Sequence, residues 1–434
     1  MKRTSSARSV LFAYLLLAVL FTLGASLIWA INTIFLLRVG GLDLFQAMLV
    51  NSVFTLAQMA FEVPTGVIAD TIGRRASIAL SMLTLALSTL LYVLTPQLGW
   101  GILGFALGSV LLGLGYTFQT GAIDAWLVDA LDAAGSQVPR ERVFAWGQMS
   151  SNAGMVAGSL LGGILGQANL VLPYLVRAAI LAVCFVIVLL MVHDLGFEAR
   201  PLRLSTVRAE GKRIFVAGLR HGWHSPVIRP LLWVSAISGL FFMYGFYAWQ
   251  PYVLRLVGRD YVWLLGVVQA GSSAATIIGN ALVGRVMSTR AGRRDPVQVL
   301  VASTWVNAAL VVGIGAVGII WRQPGLLPAS LAIGMWLIWG VIFGVQLPVR
   351  MSYINEHISS AQRATVLSLD AFFADAGGAV GQPALGWISE RASISLAWLI
   401  GGVLVAVTAP MYRRSGEARV ETPTSVRAAE EAVH

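Results

Sequence analysis

The stretch FEVPTGVIADTIGRR, residues 61–75, joins two long apolar segments through a short polar corner. The apolar segment that leads into the corner carries one acid, Glu62, and one proline, Pro64. A corner this short permits only a tight turn between two antiparallel helices, and Gly73 can adopt the positive φ that such turns often need. Asp70 lies where the first helix meets water. The stretch therefore predicts a helical hairpin with a charged turn.

The composition indicates that such hairpins are embedded in a membrane. Of the 434 residues, 57% are hydrophobic and 12% are charged, and the mean hydropathy is +0.77. A soluble domain carries about 25% charged residues, which keep its surface in water. A membrane-spanning helix needs about 20 apolar residues, and twelve such segments lie between residues 10 and 412. The sequence therefore predicts an all-α membrane protein with twelve transmembrane helices.

The placement of the basic residues predicts the orientation of the chain. The net charge is +10, but only Lys2 and Lys212 are lysines, and no basic surface is interleaved with aromatic residues for nucleic acid. Under the twelve-span scheme, 24 of the 30 basic residues lie on one side of the membrane, five lie on the other, and Arg177 falls within a span. An excess of Lys and Arg marks the cytoplasmic side. We therefore expect a cell-membrane protein with both termini in the cytoplasm, in contact with membrane lipids and not with nucleic acid.

Several functional classes are disfavoured by what the sequence lacks. The single Cys184 excludes an intramolecular disulfide and argues against a thiolate metal site. No G-x4-G-K-[ST] phosphate-binding loop is present, so the chain cannot be its own ATP-driven pump. The apolar run that begins near Val10 exceeds the about 7–15 residues of a signal-peptide core, and we expect it to remain as the first span. We expect no enzyme activity, no cofactor and no metal.

The two halves of the chain are related to each other. At one constant spacing, polar and glycine positions of the first half match positions of the second: Asn32 with Gln250, Glu62 with Asn280, and Gly66 with Gly284. The one long polar insert separates the halves. We therefore expect a six-helix bundle over residues 1–192, a basic cytoplasmic linker over 193–228, a second six-helix bundle over 229–414 and a disordered tail over 415–434. Within the linker, residues 203–220 are compatible with an amphipathic surface helix or with an unstructured chain.

The corner has the pattern G-x3-D-x2-G-R-R, formed by Gly66, Asp70, Gly73, Arg74 and Arg75. It resembles motif A of the major facilitator superfamily, which also follows the second span. The resemblance implies two pseudo-symmetric six-helix bundles with a binding site between them near mid-bilayer. It further implies that the corner helps to latch the halves together, and that an acid at the end of span four, here Asp129, pairs with the motif arginine. An ordinary charged turn is the alternative.

Span five carries a run of small residues, formed by Gly154, Gly158, Ser159, Gly162 and Gly163. Small residues at this spacing let helix backbones approach closely. The run resembles the antiporter motif of bacterial drug:proton exchangers, except that Ser159 replaces the proline of that motif. The resemblance implies proton-coupled export, and simple packing is the alternative.

Four acids lie inside the predicted spans and are candidates for proton coupling: Glu62, Asp124, Asp370 and Asp375. A charge at mid-bilayer costs about 2.5–3.5 kcal/mol, so each acid needs a reason to be there. Counted along ideal helices, Glu62 lies about 12 Å and Asp375 about 18 Å from the inner surface, close to the midplane. Burial favours the neutral form of a carboxyl group, which proton coupling requires. A structural ion pair is the alternative for each acid and the preferred interpretation for Asp129.

Polar and aromatic residues at the expected cavity positions complete the candidate site: Asn32, Gln58, Arg177, Tyr244, Tyr247 and Gln250. Interhelical hydrogen bonding is the alternative for each polar one. Tyr244 and Tyr247 suggest aromatic walls for an apolar or cationic solute. Arg177 either reaches toward the outer surface or pairs with one of the acids. The excess of acids over basic residues in the core favours protons or cations over anions.

These features together predict a secondary transporter that works by alternating access. The preferred function is proton-coupled efflux of a small amphipathic or cationic compound by a monomeric protein. An importer or facilitator on the same scaffold is the alternative. A non-transporting membrane sensor is less favoured, because it would need a folded soluble module that the chain does not show.

Overall fold

The computed structural model describes residues 6–195, 197, 222–289 and 295–421, and these contain α-helices and no strands. The first half consists of eight helices: α1 (Ala7–Trp29), α2 (Asn32–Arg38), α3 (Leu44–Ile72), α4 (Arg74–Leu98), α5 (Gly101–Gln119), α6 (Ala122–Ala133), α7 (Arg140–Ala168) and α8 (Leu172–Met191). The second half consists of six: α9 (Ile228–Val257), α10 (Val262–Met287), α11 (Pro296–Ile320), α12 (Leu326–Glu356), α13 (Ser360–Arg391) and α14 (Ile394–Glu421).

These helices form twelve membrane spans, as predicted. Helices α1 and α2 together make the first span, and α5 and α6 together make the fourth. In the described part of the chain, ten spans are long and apolar enough to cross a membrane by composition alone. The other two, α7 and α13, carry the glycine-rich runs and several polar side chains. They occupy corresponding places in the two halves, which is typical of helices that line a central space.

The first span is broken between α1 and α2, and a side chain from the second half forms hydrogen bonds with the free backbone groups at the break. Gln250 of α9 donates from Nε2 to the carbonyl of Trp29 at 2.8 Å and accepts from the N–H of Thr33 at 2.8 Å. An unpaired backbone group in a membrane is costly, so this amide makes the break between α1 and α2 possible. The fourth span breaks at Gly121, whose φ of +73° lies in the left-handed region that glycine adopts readily. Residues 10–37 and 99–128 are therefore not the single continuous helices that their composition predicts.

The predicted helical hairpin is present, and its turn is held from outside. Gly73 alone separates α3 from α4 and has a φ of +104°. The carboxylate of Asp194, just beyond α8, accepts a hydrogen bond from the N–H of Arg75 at 2.8 Å. This acceptor satisfies one of the free N–H groups at the start of α4. A Cβ atom at Gly73 would collide with the same carboxylate. The turn therefore requires glycine for two reasons, its positive φ and the lack of space for a side chain.

The buried apolar residues show how the halves meet. We call the side of the membrane at which α1 begins and α14 ends the basic side, and the other the far side. Toward the far side one cluster joins both halves, with Phe35 and Tyr174 from the first and Trp249 and Tyr252 from the second. Toward the basic side there are two separate clusters, one in each half. The bundles therefore converge at the far side and separate toward the basic side.

Polar contacts across the halves follow the same pattern. Ser52 of α3 donates to the carbonyl of Ala379 of α13 at 2.6 Å. At the far end, Arg38 donates to the carbonyl of Arg259 at 2.8 Å, and Glu390 accepts from the N–H of Leu44 at 3.1 Å. These bonds close the cleft between the halves at the far side.

One predicted boundary is corrected by the structure. Helix α14 continues to Glu421, so residues 415–421 belong to a helix and not to a disordered tail. The reason is local packing, since Ser415 is buried and donates to the carbonyl of Val227 at 2.7 Å. The rest of the expected tail, residues 422–434, and the expected linker segment 203–220 lie outside the described residues.

Candidate functional site

Three cavities meet around the side chain of Phe242 in the middle of α9. Their volumes are about 360 Å³ in the second half, about 350 Å³ between the halves beside α7 and α10, and about 290 Å³ in the first half. Phe242 lines all three. Small-molecule sites in proteins occupy about 300–1,000 Å³ and are mostly apolar with a few polar groups. The arrangement provides a central site for a small molecule.

The first-half cavity contains four of the predicted cavity residues, namely Asn32, Gln58, Arg177 and Tyr247. Asn32 donates to Oδ1 of Asn51 at 3.1 Å and accepts from the hydroxyl of Tyr174 at 3.0 Å. Both predicted arrangements of Arg177 are wrong. Its side chain is 1% exposed, so it does not reach the surface. In the described part of the chain no acid forms an ion pair with it, and its Nε and Nη1 atoms have no hydrogen-bond partner.

Two other predicted cavity residues have structural positions instead. Tyr244 is fully buried in the shared far-side cluster, where its hydroxyl lies 2.6 Å from Oγ of Ser389. Gln250 is 0% exposed and serves the break in the first span. Position along a helix is read easily from sequence, but the direction of a side chain around that helix is not. For this reason both residues were placed in the cavity although they face the core.

A stack of aromatic residues on α12 lines the cavities and was missed in the sequence. The rings of Trp336 and Trp339 stack at 4.8 Å, and Trp339 stacks on Phe343 at 5.2 Å. Phe343 in turn stacks on Phe242 at 5.3 Å. The spacing of three and four residues places these rings on one face of a helix. That spacing was the available signal, but within an apolar span it is indistinguishable from ordinary packing.

Glu62 and Asp375 lie opposite each other on two helices that cross between the halves. Helices α3 and α13 pack together, and Gln382 donates to Oγ1 of Thr55 at 3.1 Å. Each acid lies seven residues beyond that contact toward the basic side, which is about 10 Å along a helix. Within the described residues neither carboxylate forms an ion pair or a hydrogen bond, and the Glu62 residue is exposed.

Asp370 is removed from the set of proton-coupling candidates by a buried ion pair. Arg350 donates to its two carboxylate oxygens at 2.8 and 2.7 Å, and Ser235 donates to Oδ1 at 2.6 Å. Arg350 is 8% and Asp370 5% exposed. Arg350 lies within α12, which continues to Glu356. Bidentate hydrogen bonds between arginine and a carboxylate are among the strongest polar contacts in proteins.

Asp124, the remaining acid predicted for proton coupling, lies at the start of a helix. It lies in the first turn of α6, directly after the break at Gly121, and it is exposed. An acid at this position is stabilised by the free N–H groups and the dipole of the helix. Like Glu62 and Asp375, it lines none of the three cavities described above.

The predicted corner motif makes contacts within the first half. Asp70 and Arg74 form an ion pair at 2.7 Å. The guanidinium of Arg74 lies 5.9 Å from the ring centre of Phe197, and Arg75 donates to the carbonyl of Leu189 at 2.6 Å. Within the described residues, Asp129 has no ion pair, so the expected pairing with Arg74 is absent here. A Cβ at Gly66 would meet nothing within 4 Å.

The glycine run of α7 faces two neighbours. A Cβ at Gly154, Gly158 or Gly162 would collide with backbone of α1, from Val19 to Leu27. A Cβ at Gly163 would lie 2.7 Å from the carbonyl oxygen of Trp263 in α10, across the halves. Close packing is therefore one role of the run. In the second half, Gly377 and Gly381 of α13 pack on α9 in the corresponding way.

A polytopic bundle of two related halves around a central cavity is the architecture of a membrane transporter. Residues 14–381 match the model of the Major Facilitator Superfamily. The chain belongs to this superfamily, as the corner motif predicted. It is therefore a multi-pass transport protein for a small molecule and not an enzyme.

Curated relatives span most of the chain at low identity. The chain is 24% identical over 381 residues to the class G tetracycline resistance protein of Vibrio anguillarum, which covers 84% of this chain and 86% of that protein. It is 26% identical over 390 residues to the multidrug efflux pump Tap of Mycolicibacterium fortuitum, which covers 85% of this chain and 88% of that protein.

Solved structures show the same fold. The nucleoside transporter NupG superposes with a TM-score of 0.75 at 13% identity, covering 94% of this chain and 98% of that chain. A bacterial homologue of the human lysosomal transporter Spinster, in an inward-facing and unoccupied conformation, superposes with a TM-score of 0.71 at 14% identity, covering 98% of this chain and 100% of that chain.

Proposed function

We propose that this protein exports a small amphipathic compound from the cytoplasm in exchange for protons, by alternating access. The observation that carries the proposal is the position of Glu62 and Asp375, one in each half, at the edge of the cleft between α3 and α13. Both acids are at the depth of the central site, and neither is neutralised by an ion pair within the described residues. Such groups can change their protonation as the cleft opens and closes.

The asymmetry of the buried core supports a conformation that is open toward the basic side. The halves share one apolar cluster at the far side and have separate clusters at the basic side. Most basic residues lie on the side of the termini, which supports a cytoplasmic location for both termini in the cell membrane. We therefore interpret the structure as the inward-facing state of a monomeric transporter in contact with membrane lipids.

The two acids provide a physical link between protons and access. Closing the cleft at the basic side brings Glu62 and Asp375 closer together and removes water from them. Two like charges in a dry site repel, so the closed arrangement favours a bound proton and the open one favours its release. A difference in proton affinity between two states is what allows a gradient to drive the equilibrium between them.

The direction of transport is supported by the relatives. The curated proteins with the longest matches described above are a tetracycline resistance protein and a multidrug efflux pump. The aromatic stack of Trp336, Trp339 and Phe343 offers flat apolar surfaces of the kind that ring-containing compounds stack on.

Transport into inverted membrane vesicles tests the function directly. Tetracycline and a panel of amphipathic dyes are supplied outside the vesicles, with and without an inside-acid pH gradient. Export predicts accumulation that requires the gradient. Glu62→Gln should lose it, whereas Glu141→Gln, a matched change at an exposed residue of α7, should retain it. Accumulation only in right-side-out vesicles would show import instead.

A further inference from the structure

Among the described residues, the buried Arg177 has no ion-pair partner. It lies in α8, is 1% exposed and lines the first-half cavity. Its Nε and Nη1 atoms have no hydrogen-bond partner, and no carboxylate of the described residues lies within ion-pair distance. Burying an unpaired charge costs far more than burying a paired one, so buried charges are normally compensated. Among the described residues, the guanidinium of Arg177 therefore lacks the counter-charge that a buried cation normally has.

Other unpaired donors converge on the same cavity. Asn51 is 3% exposed, its Oδ1 atom accepts a hydrogen bond from Asn32, and its Nδ2 group has no hydrogen-bond partner. The hydroxyl of Tyr116 also lacks a partner. Both residues line the cavity together with Arg177. Buried polar groups are rarely left unsatisfied, and several in one place indicate a missing acceptor.

The rest of the cavity wall fits an aromatic body. Trp29, Phe54, Phe246 and Tyr247 line it, and none of the described residues that line it is an acid. Its volume of about 290 Å³ suits a bicyclic ring system or one end of a larger molecule. A donor-rich pocket without acids disfavours a cation and provides hydrogen bonds to an oxyanion.

We propose that Arg177 and Asn51 bind a carboxylate or another delocalised oxyanion of an aromatic, amphipathic substrate in the first-half cavity. This names the substrate class of the transporter proposed above and rests on that function for its role in transport. It reverses the expectation that the acid excess favours cations, because Asp370 is neutralised by Arg350 while Arg177 remains free to take a ligand.

Equilibrium binding to the purified full-length protein in detergent tests the site without any transport step. The probes are naphthoate, naphthamide and naphthylmethylammonium, which share a ring system and differ in charge. Wild type should prefer naphthoate. Arg177→Gln should weaken naphthoate binding about tenfold or more, the loss expected for one charge-assisted contact. Arg177→Lys should restore most of it, and Arg322→Gln, at an exposed residue between α11 and α12, should bind as wild type does.

The stability of the variants separates a binding role from a structural one. If Arg177 serves a ligand, Arg177→Gln removes an uncompensated charge and should melt at the same temperature as wild type or higher. A lower melting temperature together with unchanged naphthoate binding would overturn the proposal. Equal binding of the three probes would also overturn it. A chloride-dependent stabilisation that Arg177→Gln abolishes, with no naphthoate binding, would assign the site to an inorganic anion and overturn the organic substrate.

The failure of this site and the failure of the proposed function are distinguishable. Naphthoate binding that depends on Arg177, in a protein that accumulates nothing in vesicles, would retain the site and reject the transport cycle. Gradient-driven accumulation that is unchanged in Arg177→Gln for every compound would retain the cycle and reject the site.

Discussion

Arg350 of α12 holds Asp370 of α13 through two hydrogen bonds of 2.7 and 2.8 Å in the buried interior of the second half. The pair lines the largest of the three central cavities described above, yet both groups are satisfied, and Ser235 completes the network. This separates Asp370 from the other acids of the membrane interior, which have no such partner.

Breaking this pair from one side should be far more harmful than removing both members. Asp370→Asn or Arg350→Met alone should destabilise the protein by about 3–5 kcal/mol, because the remaining charge is left buried. The double variant Arg350→Met with Asp370→Leu should recover much of that loss. Thermal unfolding in detergent, arranged as a double-mutant cycle, measures the coupling. Additive losses in the double variant would show that the two residues act independently.

Neutralising Glu62 should uncouple transport from the proton gradient. Glu62→Gln keeps the shape of a protonated carboxyl, so substrate binding should persist while accumulation against a gradient is lost. The same result is expected for Asp375→Asn, since the two acids face one cleft. The measurement is uptake into inverted vesicles over a range of pH, with binding assayed in parallel. Wild-type accumulation with unchanged pH dependence in both variants would reject the coupling role.

The two glycines of the corner motif should respond oppositely to a methyl group. Gly73→Ala adds a Cβ at a φ of +104° and drives it into Asp194, so the yield of folded protein should fall sharply. Gly66→Ala meets open space inside α3, where alanine is about 1 kcal/mol more favourable than glycine. Expression and melting temperature of the two variants give the comparison. Equal effects would mean that the contact with Asp194 does not hold the turn.

Gln250 should be required to keep the far side closed. Gln250→Ala leaves the carbonyl of Trp29 and the N–H of Thr33 without their partner, at a cost of about 1–3 kcal/mol for each buried group. The break between α1 and α2 should then loosen. A cysteine placed at Thr33 should become accessible to an impermeant maleimide from the far side only in the Gln250→Ala background. Cys184 is buried and contributes little background labelling.

The fold could be predicted because its signals are local or repeated. The corner at residues 61–75 has a short turn, a glycine and charges in sequence, and the match of Asn32 with Gln250 reports the two related halves. Helix length followed from apolar segments, and the depth of Glu62 and Asp375 followed from counting residues. Helix length and the depth of a residue in the membrane depend only on position along the helix axis.

The partners of the interior residues could not be predicted, because they come from distant segments. Nothing near Arg350 in sequence signals that its helix continues or that Ser235 and Asp370 meet it there. The orientation of Gln250 toward a helix break is likewise invisible until α1 and α9 are packed. The surroundings of Arg177 are formed by several distant helices, so a count of acids and bases along the chain does not reveal which of them are paired.

Buried residues that pack across the halves affect the equilibrium between the inward-facing and outward-facing states. Buried residues that pack within one half affect only the stability of the fold. Met48 and Met82 are both 0% exposed. Met48 packs against Gly386 of α13 across the halves, whereas Met82 belongs to the cluster confined to the first half. Replacing either by alanine should cost about 2–5 kcal/mol in packing. Only Met48→Ala weakens an interface that must open in the outward-facing state. This variant alone should therefore raise the population of the outward-facing state. Distances between spin labels on the two halves would measure that population.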